Sequence, residues 1–109
     1  MPLSREYYRS LQERANNDPK FKSELLAKAM NSYFLGNYPA GKKSLRRLIH
    51  ATIGFMSLSK EIKKSSKSIH RMLGPKGNPN TENFFEVVSV LQRRINVHLT
   101  TSIAKRVSR

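Results

Sequence analysis

Basic and hydroxyl side chains crowd a short stretch that is well suited to contact a polyanion. A helix over about 66–73 would present five of them at its N-terminal end and on its outer face: Ser65, Ser66, Lys67, His70 and Arg71. Arg and Lys match the O6 and N7 acceptors of guanine, and short hydroxyls bond to base edges or phosphates. We therefore predict that these side chains contact DNA bases. The alternative is a solvated helix face with a Ser N-cap.

A second set of cations flanks this stretch in the sequence. Its members are Arg46, Arg47, Lys63, Lys64 and Lys76. Contacts to phosphate oxygens supply affinity and orientation, whereas base contacts supply sequence preference. The second set is predicted to contact phosphates, the alternative being exposed surface charge.

Apolar spacing predicts two short helices joined by a turn, at about 57–63 and 66–73. Leu58 and Ile62 lie four residues apart, and Ile69 and Met72 lie three apart, so each pair shares one helix face. The motif at about 56–73 has the spacing of a helix-turn-helix, whose second helix enters the DNA major groove.

The charge of the whole chain agrees with a polyanionic partner. Lys and Arg number 21 against 7 Asp and Glu, which gives a formal net charge of +14. Residues 42–76 alone hold ten Lys or Arg and one acid, so the charge is concentrated around the motif. Such a concentration indicates DNA, RNA, an anionic membrane or an acidic protein as the partner. The alternative is that this chain is a soluble protein that is merely basic.

The residue types of the chain give little indication of a catalytic site or a metal site. The chain has no Cys, which excludes thiolate ligands and Cys nucleophiles. His50, His70 and His98 have no ligand spacing, and the carboxylates form no acid–base pair. We predict no catalytic residues, no metal, no cofactor and no small-molecule substrate.

Membrane insertion and export are also not expected. No run approaches the roughly 18 apolar residues of a membrane span. The first ten residues, MPLSREYYRS, lack the apolar core of a signal peptide. The expected location is the cytoplasm, with no membrane partner.

The remaining sequence predicts four more helices and one extended segment. The helices fall at about 4–16, from Asp18-Pro19 to before Gly36, at about 39–53, and onward from a cap at Asn80 or Thr81. Ile95, Val97 and Leu99 alternate with polar residues, which is the period of a strand. A lone strand needs a partner. The segment therefore pairs with its copy in a second subunit, or it is an extended tail packed on the domain.

The flanks of the motif carry a family resemblance. Leu58, Ser59, Ile62 and Met72, counted from Ile69, match the positions of lambda-repressor-like helix-turn-helix domains. Lys63 and Lys64 depart from that pattern, which has Gly and an apolar residue there. Over about 54–100, and above all in the ML-G-P-x-G-N-P segment at 72–79, the chain resembles antidote proteins of bacterial addiction modules, the host-inhibition-of-growth antitoxins.

This resemblance implies a fold and a function. The expected fold is mainly α, a lambda-repressor-like bundle of about five to six helices with a short C-terminal strand. The resemblance does not extend to residues 1–17, which the apolar pattern alone predicts as an N-terminal helical arm. Residues 18–100 would form the DNA-binding domain, and 101–109 a basic tail. The implied function is that of a homodimer that binds double-stranded operator DNA, represses its own operon and neutralises a RelE-like ribonuclease toxin.

Two alternatives stay open on the sequence. One is a protein-interaction antitoxin with weak DNA binding, which would contact its toxin through the N-terminal arm and the exposed parts of 19–35. The other is a basic RNA-binding protein, which the bulk charge permits.

Overall fold

Six helices make up the fold of residues 4–107, the part of the chain that the computed structural model describes. They are α1 (Arg5–Asn17), α2 (Pro19–Phe34), α3 (Tyr38–Ala51), α4 (Phe55–Ile62), α5 (Ser66–Met72) and α6 (Thr81–Arg94). No strand forms within 4–107. The prediction of a mainly helical chain is confirmed, and the number of helices is the upper value expected.

Side-chain caps set the starts of several helices. Ser4 Oγ accepts the Tyr7 N–H at 3.2 Å, and Asp18 Oδ1 accepts the Lys20 N–H at 3.1 Å. These bonds satisfy amide donors that the first turn of a helix leaves unpaired. Asn80, one of the two expected caps of α6, holds that role through a 2.8 Å bond from the Asn83 N–H. Ser4 and Asp18 are thus the N-caps of α1 and α2.

Helix α3 lies at the centre of the core. Its Leu45, Leu48 and Ile49 side chains are fully buried. Helices α1 and α2 both pack on α3, and α1 contributes Leu11 and Ala15 to the same buried cluster. Full burial of one such aliphatic side chain stabilises a fold by about 1.5–3 kcal/mol, so α3 anchors the elements around it.

The strand expected around 95–99 is not present in the described chain. Asn96 has a φ of 56°, and the Val97 N–H donates to the Gln92 carbonyl at 2.9 Å, which closes the end of α6 in a Schellman-like turn. Leu99 N–H then donates to Gln92 Oε1 at 2.8 Å. Both amides are thus engaged with α6, and the segment is an irregular tail whose apolar side chains pack on the core.

Lys63 closes α4 in a conformation that normally favours glycine. Its φ and ψ are 58° and 42°, in the left-handed region. The following amide, of Lys64, donates to the Ser59 carbonyl at 3.1 Å. Lys63 therefore stands where the resembled family has Gly, and the turn forms despite a side chain that costs about 1–2 kcal/mol in this region.

Replacing Lys63 by Gly should stabilise the protein. The change relieves the left-handed strain but adds freedom to the unfolded chain, so we expect a net gain of about 0.5–1 kcal/mol. Urea unfolding followed by circular dichroism measures it. Lys64→Gly is the matched control, because Lys64 lies outside the positive-φ region. A gain of equal size at both positions, or a loss at Lys63, would contradict the assignment of strain to Lys63.

Candidate nucleic-acid interface

Helix α5 is held to the core by one side and exposes the other. Ile69 is fully buried and Met72 nearly so, and both belong to the main core cluster. Lys67, His70 and Arg71 lie on the solvent side, and Ser66 is half-buried at the first turn. The structure therefore brings most of the predicted base-contacting side chains to one outward surface.

Ser65 is engaged in the local structure of the helix. Its Oγ accepts the Ser68 N–H at 3.0 Å and donates to Ser68 Oγ at 2.9 Å. Because this is the N-cap bond of α5, a base contact by Ser65 would have to share the hydroxyl with the cap. Ser65 thus has a positioning role whether or not it touches DNA.

Lysines extend the exposed surface of α5 on both sides. Lys64 and Lys76 lie along a groove beside Arg71, and Lys67 lies with Arg71 and Lys76 around a second hollow. Lys64, Lys67, Arg71 and Lys76 together are called the basic face below. Lys63 is exposed on the turn before α5 but lines a different groove, between α4 and α6. The structure thus separates Lys63 from the two other predicted phosphate contacts of this region.

The two arginines of α3 are placed differently from the lysines. Arg46 is half-buried, and its Nη1 donates to the Leu73 carbonyl at the end of α5. Lys42, one turn earlier on α3, donates from Nζ to the Gly77 carbonyl. Arg47 is half-buried as well, with its Nε shielded from solvent and without a hydrogen-bond partner in the described residues. Arg46 therefore acts within the protein, and a phosphate contact would use only its remaining donors.

Gly77 allows the loop after α5 to sit against the helix. A Cβ at this position would lie 2.0 Å from the Arg71 carbonyl oxygen and 2.4 Å from that of Met72. Any side chain here would therefore push the loop away from the end of α5. This close approach gives a physical reason for the second glycine of the ML-G-P-x-G-N-P segment.

Four rings from four helices form two stacked pairs that contact each other and end at α5. Tyr8 stacks on His50 with centroids 3.9 Å apart, and Phe55 stacks on His70 at 3.8 Å. His50 and Phe55 are 4.9 Å apart and join the two pairs. This aromatic ladder connects α1 and α3 with the candidate interface. These four residues span positions 8 to 70, and no local sequence pattern predicted that they would meet.

Burial lowers the pKa of both histidines of the ladder. Desolvation disfavours the imidazolium of His70, and it does the same for His50, where the nearby His70 and Arg46 add repulsion. Both rings are therefore neutral at pH 7. A neutral His70 offers DNA one donor and one acceptor rather than a charge.

Comparison with known proteins gives no match: no family model, curated protein or solved structure matches this chain. Among residues 4–107, no group of three or more His, Asp or Glu side chains is arranged to hold a metal ion. None of the helices described is both long and apolar enough to cross a bilayer.

Arg46→Ala should destabilise the protein even without DNA. The change leaves the Leu73 carbonyl without its charged donor, and such hydrogen bonds contribute about 1.5–3 kcal/mol. Thermal unfolding in DNA-free buffer measures the loss. Lys43→Ala, at an exposed position of α3, is the control and should change stability by less than about 0.5 kcal/mol. Equal stability of the two variants would show that the Arg46 contact contributes nothing.

Stability should fall as the pH drops below the ordinary histidine value of 6.5. The pKa values of His50 and His70 are lowered in the folded state, so below pH 6.5 the unfolded chain binds more protons and is favoured. We expect Tm to decrease from pH 7.5 to pH 5.5.

The pH effect is assigned by comparing histidine variants. His50→Gln/His70→Gln should flatten the decrease in Tm, whereas His98→Gln, at an exposed position outside the ladder, should leave it unchanged. An equal slope in all three proteins would rule out the ladder as the source of the pH dependence.

Proposed function

We propose that this protein is a transcriptional regulator that reads duplex DNA with α5. The observation that carries the proposal is the outward placement of Lys67 and Arg71 on a helix locked to the core by Ile69 and Met72. Lys64 and Lys76 lie beside them, in position to contact the phosphates along the edges of the DNA groove that α5 would enter. In this proposal α4 and α5 are the helix-turn-helix of a lambda-repressor-like bundle.

The dimensions of α5 favour duplex DNA over RNA. An α-helix with its side chains is about 10–12 Å across and fits the roughly 12 Å wide major groove of B-DNA, whereas the major groove of A-form RNA is too deep and narrow for side chains to read. RNA readers expose aromatic rings on which unpaired bases stack. The rings nearest to the basic face, Phe55 and His70, instead stack on each other.

The proposed regulator works as a homodimer and as an antitoxin. One short helix reads few base pairs, so two subunits on half-sites about 34–36 Å apart would supply the affinity of an operator. The antitoxin role, with repression of its own operon and neutralisation of a RelE-like toxin, is supported by the sequence resemblance at 54–100. A RelE-like reading frame beside the gene would strengthen this part of the proposal.

A protein-interaction antitoxin is the second candidate. Phe34 and Leu35, at the end of α2, are 68% and 86% exposed, and Tyr38 at the start of α3 is also exposed. Large apolar side chains grouped at a surface mark contact sites for other proteins. A toxin bound at this corner would leave α5 free for DNA.

Arg71→Ala and Lys67→Ala should each reduce affinity for the operator and relax its preference over random DNA. A good side-chain pair with a base contributes about 1–3 kcal/mol of discrimination, which corresponds to a loss of about 5- to 150-fold. Mobility-shift titration on the protein's own promoter, with random duplex as competitor, measures both effects.

Lys76→Ala supplies the contrast for this experiment. As a phosphate contact, Lys76 should affect operator and random DNA alike and lower the salt slope by about one unit. Parental operator binding by both the Arg71 and Lys67 variants would remove α5 from the proposed role. An operator-specific loss at Lys76 would reassign that side chain to base contact.

A further inference from the structure

A groove between α4 and α6 differs in chemistry from the rest of the surface. Ile62 and Phe85 give it apolar walls, and the Phe85 ring is 51% exposed. Three carboxylates lie along it, from Glu61 on α4 and from Glu82 and Glu86 on α6. These are three of the seven acids of a chain whose net charge is +14.

The cations of the groove do not neutralise its carboxylates. Lys63 and Arg93 are the two basic residues along it, and Arg93 Nη2 lies 3.6 Å from Glu61 Oε1. Glu82 and Glu86 have no salt-bridge partner among the described residues. Three carboxylates and two cations leave a formal charge of −1 beside apolar walls, where an apolar segment that carries cations fits better than nucleic acid.

The C-terminal tail of the chain has these complementary features. Ile103 and Val107 are 99% and 88% exposed, so the chain itself covers neither of them. Residues 101–107 of the tail form no helix, and in an extended backbone these two side chains lie on the same side as Lys105. Lys105 and Arg106 lie between them and supply two positive charges.

We propose that the tail of a second copy of this chain docks in the α4–α6 groove. Ile103 and Val107 would cover Phe85 and Ile62, and the two cations would meet the carboxylates of Glu82 and Glu86. The tail follows α6, whose Arg93 lines the groove, and yet the apolar residues of the tail remain in solvent. Exchange of two identical tails closes a two-fold dimer in which each groove is filled. This inference deepens the homodimer of the proposed function.

The absence of cysteine allows a direct cross-linking test. Phe85→Cys and Ile103→Cys are made as separate variants, mixed without DNA under mild oxidation, and analysed on non-reducing gels. We expect a disulfide-linked heterodimer from this mixture. Met56→Cys mixed with Ile103→Cys is the control, because Met56 is also exposed on α4 but lines no groove together with Phe85, and it should give little product. Equal yields from the two mixtures, or no product from either, would overturn the proposal.

A single chain carrying both Phe85→Cys and Ile103→Cys decides between exchange and self-docking. The proposal expects covalent dimers and larger species from it. A protein that oxidises mainly to a monomer with an internal disulfide would show that the tail fills its own groove and would refute exchange.

Charge reversal tests the same contact in the unmodified dimer. Lys105→Glu/Arg106→Glu and Glu82→Lys/Glu86→Lys should each weaken association at least tenfold in sedimentation equilibrium, and the four changes combined should restore it. Failure of this rescue would contradict the proposal. Unchanged association with weaker DNA binding by the tail variant would make the tail a DNA-binding arm instead.

Operator binding is measured separately from cross-linking, so that the DNA-binding proposal and the tail proposal can be tested independently. Arg71→Ala should lose operator affinity and still cross-link between the groove and tail cysteines. Loss of operator affinity in that variant without loss of cross-linking supports both proposals. Operator binding by the parent protein that is lost on Arg71→Ala, combined with no cross-linking in either protein, overturns the tail contact alone.

Discussion

The contact of two α3 cations with the end of α5 is the constraint on which the candidate interface depends. A helix of seven residues is too short to be stable alone, and its last carbonyls carry a partial negative charge. Arg46 donates to the Leu73 carbonyl, and Lys42 donates to that of Gly77 in the loop that follows. With Ile69 buried beneath it, α5 is fixed at both its underside and its C-terminal end, and its polar side is presented outward.

This constraint shows which part of the site could be read from the sequence. Caps and apolar spacing act between residues a few positions apart, so the helices and the exposed side of α5 were predictable. Arg46 bonds to a carbonyl 27 residues away, and Lys42 to one 35 residues away. Every residue offers a backbone carbonyl, so the sequence does not show which carbonyl accepts from which cation. The sequence pattern therefore could not distinguish Arg46 and Lys42, which bond within the protein, from the cations that remain available to a ligand.

In the C-terminal segment, the sequence predicted which side chains are buried but not the partners of the backbone amides. The alternation of Ile95, Val97 and Leu99 with polar residues predicts that one side of an extended segment is buried. This part of the prediction agrees with the structure, because all three side chains pack on the core. Alternation says nothing about the partners of the backbone amides. Here the side chain and carbonyl of Gln92 take two of those amides, so the extended-tail alternative describes the segment within the described chain.

Charge is divided between two surfaces that meet at α4. The basic face lies beyond the C-terminal turn of α4, and the groove that Glu61 lines lies between α4 and α6. Two copies of a +14 protein repel each other, most strongly at low salt, where the Debye length is about 10 Å or more. On the tail proposal, the carboxylates of the groove would supply an attraction that opposes this repulsion, and DNA bound to the basic faces would remove much of the remainder. If both proposals hold, DNA binding and dimerisation strengthen each other, because DNA and the second subunit both favour the DNA-bound dimer.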